Sequence, residues 1–168
     1  MKTLVTYFSQ TGKTKLVAEA VYGAVEGEKD LRPMEGVASL EGYDLVFVGF
    51  PVIAFGPAPQ AKEFLKKHGA GKKVALFITH AAPEGDEKLM EWLAKCREAA
   101  AGADLLGMFD CQGELSEQIA DLLLKSDDPL LKAFGERRGE TIGQPDESRL
   151  QKARLFAAEI MGKAKKGY

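Results

Sequence analysis

The chain has 168 residues, 45% of them hydrophobic and 29% charged, with a net charge of −2. This length fits one domain, at about 100–200 residues each, and the composition excludes wholesale disorder. Lysine and arginine total 23 against 25 acids, with the lysines beside acids or at the tail, which excludes bulk electrostatic attraction to nucleic acid.

Leu4 to Phe8 is β-branched and aromatic and reads as a buried strand. Leu16, Val17, Ala20, Val21, Ala24 and Val25 then recur at helical spacing, closed by Gly27. Lys29 to Met34 is a weak second strand. Leu45 to Phe50 is a strong third, apolar on both faces, as in parallel sheets covered on both sides. After a Gly/Pro-rich loop, Ala58 to His68 reads as a helix striped by Ala61, Phe64 and Leu65. Lys73 to Thr79 is a fourth strand, Asp86 to Ala101 a helix and Asp104 to Asp110 a fifth strand. The last helix starts near Pro145 and carries Leu150, Ala153, Ala157, Ile160, Met161 and Ala164 on one face. This alternation predicts an α/β fold with a parallel sheet and helices on both faces. Residues 111–144 exceed the roughly 2–6 residues of an ordinary connection. They read as an insertion with one amphipathic helix (Leu115, Ile119, Leu122, Leu123), then Pro129 to Phe134, then a loop from Gly135 to Gly143. The insertion is expected over the sheet edge or the ligand end. The chain, 1–168, is expected to form a single domain.

Two cysteines, Cys96 and Cys111, lie outside CxxC spacing, which suits a reduced compartment rather than a disulfide scaffold. With only His68 and His80 besides, no metal-ligand spacing occurs, so no metal site is expected. The run after Met1 is too short for a signal segment, and Leu45 to Ala61 is broken by Gly and Pro, so it is no membrane span. The expectation is a cytoplasmic protein.

An open parallel sheet binds ligands at the carboxyl ends of its strands, where strand order reverses. The loop after the first strand, Ser9-Gln10-Thr11-Gly12-Lys13-Thr14, offers three hydroxyls and backbone N–H groups at a helix N-terminus, a natural seat for a phosphate. Gly12 lets the backbone approach closely. Gly12-Lys13-Thr14 mimics the end of a Walker A motif, but Tyr7 stands where that motif needs its first Gly. The dinucleotide fingerprint is absent too.

The stretch Thr6-Tyr7-Phe8-Ser9-Gln10-Thr11-Gly12-Lys13-Thr14 resembles the phosphate loop of flavodoxins, [ST]-x-T-G-x-T after the first strand, and the likeness runs through nearly the whole chain. The resemblance implies a flavodoxin-like three-layer α/β/α sandwich, with a five-stranded parallel sheet of order 2-1-3-4-5. It implies FMN as cofactor, with Ser9, Gln10, Thr11, Gly12, Lys13 and Thr14 at the phosphate. Pro51, Val52, Ile53, Ala54, Phe55 and Gly56 resemble the loop beside the flavin ring, where Phe55 takes the place of the usual Trp and Gly56 allows a peptide flip. Thr79, His80 and Ala81 take the place of the loop at the pyrimidine end. There His80 either bonds the flavin or faces solvent. The implied activity is electron transfer between a reductase and an acceptor, as a monomer or weak homodimer. The rival is an NAD(P)H-dependent FMN oxidoreductase acting on a quinone or another small acceptor. The acids Glu84, Asp86, Glu87, Glu114, Glu117 and Asp121 form either a solvated face or an acidic rim that would recruit basic redox partners. Cys96 and Trp92 read as core. Arg137 and Arg138 read as a solvated loop.

Overall fold

Side chains on a strand alternate between its two faces, so strands apolar at every position must be covered on both. The computed structural model, which describes residues 1–167, obeys this. Its strands are β1 (Lys2–Tyr7), β2 (Glu28–Pro33), β3 (Leu45–Ile53), β4 (Gly56–Pro57), β5 (Lys73–His80) and β6 (Asp104–Gln112). Its helices are α1 (Lys13–Ala24), α2 (Pro59–His68), α3 (Glu87–Ala99), α4 (Glu117–Leu124), α5 (Pro129–Glu136) and α6 (Glu147–Lys165). Five strands pair in parallel in the order β2-β1-β3-β5-β6. The two-residue β4 folds back antiparallel on the end of β3. With that small hairpin set aside, the order is the expected 2-1-3-4-5.

Leu4, Val46, Val48, Phe50, Leu76 and Ile78 face α2 and α3, where Phe64, Leu65, Leu89 and Leu93 complete one core. Val5, Leu45, Phe47, Ala75 and Phe77 face α1 and α6, where Val17, Val21, Ala157 and Ile160 complete the other. The result is a three-layer α/β/α sandwich. Gly49 is required inside this packing: a Cβ there would fall 1.8 Å from the ring of Phe77.

Four helices begin at side-chain caps, each accepting a bond from an N–H the helix leaves unpaired. Asp86 caps α3, Ser116 caps α4, Asp128 caps α5 ahead of Pro129, and Asp146 caps α6. The stretch between β6 and α6 differs from the expected single helix and loop. It is a helical hairpin of α4 and α5, closed by a 3₁₀ turn at Arg138–Thr141. The turn residues Lys125 to Asp128 separate the two helices, and Pro129 starts the second as a pre-formed first-turn residue. Within the two helices only Ala120 and Gly135 are buried. A Cβ on Gly135 would lie 2.9 Å from the Ala120 carbonyl oxygen, so the helices touch backbone to backbone. Among the described residues, no helix is long and apolar enough to cross a membrane.

Candidate functional site

The carboxyl ends of β1, β3 and β5 open on a cavity of about 250 Å³. Three loops line it from the sheet, and the 113–134 stretch lines it from outside. Of the residues singled out in sequence, Gln10, Thr11, Lys13, Thr14, Pro51, Val52, Ile53, Ala54, Phe55, Thr79, His80 and Ala81 line it, while Ser9, Gly12 and Gly56 do not.

The first loop is held from within. Gly12 stands at φ 86, the left-handed region, and directly precedes α1. The Ser9 hydroxyl turns back on its own loop, accepting from the Gly12 N–H at 3.1 Å and the Lys15 N–H at 3.3 Å. Thr14 is buried, its hydroxyl 2.7 Å from that of Thr79 on β5. The three hydroxyls therefore do not converge freely. Ser9 shapes the loop, Thr14 ties it to the sheet, and exposed Thr11 offers its hydroxyl to the cavity together with the N–H groups of the first turn.

The second loop is a tight hairpin. Ile53 pairs with Gly56 across Ala54 (φ 49) and Phe55 (φ 66), so both central residues are left-handed without being glycine. That is the two-residue turn that matches strand twist, and it costs about 1–3 kcal/mol per residue for side chains with a Cβ. The positive φ angles thus sit on Ala54 and Phe55, and Gly56 is an ordinary, buried strand residue. The Phe55 ring lies 5.0 Å from that of Trp92 on α3, and Trp92 lies 5.6 Å from Phe134 on α5.

The third loop is pinned from the side of β6. The Gly113 N–H donates to the His80 carbonyl at 2.8 Å. The Gln112 amide donates to the Ala81 carbonyl at 3.2 Å and to that of Ala82 at 3.4 Å. In a trans peptide N–H and C=O point opposite ways, so the N–H groups of Ala81 and Ala82 turn away from β6. His80 neither faces solvent nor offers a free nitrogen. Its side chain is 1% exposed, with Nε2 at 2.8 Å from the Asp110 carboxylate and Nδ1 at 3.0 Å from the Ala82 carbonyl. Both nitrogens face oxygen atoms, so the ring ties the third loop to β6.

The family model for the flavodoxin domain matches residues 4–158. The chain belongs to the flavodoxin family. The flavodoxin-like domain-containing protein BilS of Clostridioides difficile (strain CD3) is 32% identical over 181 residues, covering 98% of each chain. Oxidised flavodoxin 2 from Bacillus cereus superposes with a TM-score of 0.65 at 22% identity, over 97% of this chain and 99% of its own. A flavoprotein from Lactobacillus acidophilus, solved in complex with FMN, superposes at 0.53 with 20% identity, over 72% of this chain and 97% of its own.

The stretch expected over the sheet edge or the ligand end lies at the ligand end and forms the outer wall of the cavity. Leu115, Ile119, Leu123, Leu131 and Phe134 supply it, and Trp92, expected as plain core, is both buried and exposed to the cavity on one side. The amphipathic pattern of residues 115–123 is the sequence signal for this wall. Gln112 and Asp110 had no signal, because their partners come from another strand. The charged residues are also more engaged than expected. Lys13 pairs with Glu114 at 3.2 Å, and Arg138 with Glu114 at 3.8 Å and the Leu115 carbonyl at 3.0 Å, clamping the first loop to the outer wall. Arg138 is thus no free loop cation. Glu84 pairs with Arg149, and Asp86 caps α3, which leaves Glu87, Glu117 and Asp121 as exposed acids of the expected rim. Cys96 and Cys111 are buried free thiols, both pushed up to about 12 chiefly by burial. The described residues hold no cluster of three or more metal-ligating side chains.

Proposed function

We propose that the cavity binds FMN and that the protein carries electrons on it between a reductase and an acceptor. The observation that carries this reading is the convergence of three loops on one cavity at the switch point of a flavodoxin-family sheet. The residues fit the group. The Thr11 hydroxyl and the unpaired N–H groups of the α1 first turn suit a phosphate, with Lys13 beside them. Gly12 and Ser9 give that loop its shape, and Gln10 lines the cavity beside it. Pro51, Val52, Ile53 and Phe55 form an apolar side for a ring, held out by the Ala54–Gly56 hairpin. Thr79 backs Thr14, and the N–H groups of Ala81 and Ala82 suit the carbonyl rim of a flavin. His80 acts behind them, fixing the Ala82 carbonyl.

When bound, the flavin supplies one- and two-electron chemistry, and the protein supplies its seat and surrounding charge. The contact of half-buried Phe55 with Trp92 closes the apolar side. Partners would be redox proteins, in a cytoplasm that keeps both thiols reduced, with the chain acting as one domain, monomeric or weakly dimeric. A second reading has a specific observation in its favour. The α4–α5 hairpin walls the cavity, as an enzyme for a small acceptor requires, so an NAD(P)H-dependent oxidoreductase acting on a quinone stands beside the carrier. Anaerobic mixing of the FMN-loaded protein with NADPH or NADH separates them: prompt bleaching marks the enzyme, none the carrier. For the cavity itself, Thr11→Val is expected to weaken FMN binding about tenfold or more, as loss of a hydrogen bond to a charged group costs about 1.5–3 kcal/mol. Unchanged affinity, read by fluorescence titration, would count against the phosphate assignment.

A further inference from the structure

We infer that Glu114 is a built-in rival of the flavin phosphate, a fixed negative charge that weakens the hold of the first loop on a phosphate-bearing flavin. The inference rests on the first loop seating that phosphate. A seat for an anion gains from cations, and a like charge beside it costs affinity. Among the described residues lining the cavity, Lys13 is the one lysine and Glu114 the one carboxylate, and no arginine joins them. The Glu114 carboxylate lies 3.2 Å from the Lys13 ammonium through one oxygen and 3.8 Å from the Arg138 guanidinium through the other. It therefore engages both cations before any ligand does. The Lys13 ammonium has three donors and can serve a carboxylate and a phosphate together. What Glu114 takes from the seat is thus charge, not hydrogen-bonding capacity.

The backbone fixes where this charge sits. Residues 113–115 run from β6 toward α4 and are tied at each step. The Gly113 N–H donates to the His80 carbonyl at 2.8 Å, the Glu114 N–H to the Gln144 carbonyl at 2.8 Å and the Leu115 N–H to the Thr141 hydroxyl at 2.9 Å. Gly113 keeps the segment against the first loop: a Cβ there would lie 3.5 Å from that of Lys13 and 3.7 Å from that of Thr79. The ties leave only side-chain rotation to move the carboxylate from an arriving phosphate, and rotation would cost its pairing with Lys13 and Arg138. The Glu114 side chain is 20% exposed, so water and salt screen it less than a charge at the open surface. FMN is then held below the strength the loop could give and is exchanged more readily. A flavin without a phosphate is indifferent to Glu114.

The test titrates FMN and riboflavin, the same ring system without the phosphate, into the parent protein and Glu114→Gln, read by flavin fluorescence at low salt. Gln keeps the size of the side chain and an acceptor for Lys13 but removes the charge. Glu114→Gln is expected to bind FMN about fivefold or more tighter than the parent, with riboflavin within about twofold. The FMN gain should shrink at about 1 M salt, where the screening length falls to about 3 Å. Glu114→Ala, expected to move FMN in the same direction, guards against misfolding of the first variant. Three results overturn the inference. FMN binds no tighter to either variant, which makes Glu114 a strut of the wall alone; or FMN and riboflavin tighten together, which places the change away from the phosphate; or the FMN gain is the same at high salt. Failure of the underlying reading is separate and seen first, in a parent protein that binds neither flavin or binds riboflavin as tightly as FMN.

Discussion

At the residue scale, the site is held by a few buried polar atoms, and their pairing decides the cost of changing them. Thr14 and Thr79 satisfy each other across the sheet. Thr6 is the opposite case: its hydroxyl is buried on β1 without a hydrogen-bond partner. Thr6→Val removes that unpaired group at constant shape, so it is expected to raise stability by up to about 1 kcal/mol, measured by urea unfolding. Destabilisation by as much would mean that the hydroxyl has a partner. The two thiols give a pH prediction. Burial favours their neutral form, lifting both from the ordinary thiol value of 9.0 to about 12 in the folded protein. Their contribution is full below the unfolded value and is lost as pH rises from about 9 toward 12. Stability should therefore fall across that alkaline window, and less so in Cys96→Ala/Cys111→Ala than in the parent. Below it, thiol reagents should label the folded protein slowly and the unfolded protein at both positions. Rapid labelling of the native protein at pH 8 would contradict the burial.

At the element scale, what was legible in the sequence is what local pattern encodes. The strands from Leu4, Leu45 and Lys73 and the last helix follow from apolar periodicity, and the strand-loop-helix around Gly12 follows from its chemistry. The hidden parts depend on partners distant in the chain. His80 looked like a free ring because Asp110 comes from β6, 30 residues on. Phe55 looked like a ring waiting for a ligand because Trp92 comes from α3. Leu16 fell on the helical stripe of α1 yet is 39% exposed, since the sheet covers only part of that face. The α4–α5 hairpin was half-read: its first helix is amphipathic, but the pivot on Gly135 against Ala120 is a tertiary contact. Gly135→Ala puts a methyl group into the Ala120 carbonyl and should loosen this wall by about 1 kcal/mol, speeding FMN release roughly fivefold. Stopped-flow fluorescence reads that rate. An unchanged release rate would separate the hairpin from the site.

At the scale of the whole molecule, the sheet places three loops of different sequence character at one end, and the 113–146 stretch closes that end with a clamp on the first loop. FMN is expected at this end. The most direct measurement is a titration of the purified protein with FMN, followed by the absorption spectrum after excess is removed and by emission of Trp92, the only tryptophan. Binding at one FMN per chain is expected, with Trp92 quenched and the melting temperature raised, since a ligand at 100 times its Kd adds about 2.7 kcal/mol to the folded state. A protein that stays colourless, with Trp92 emission and melting temperature unmoved by FMN, would contradict the account.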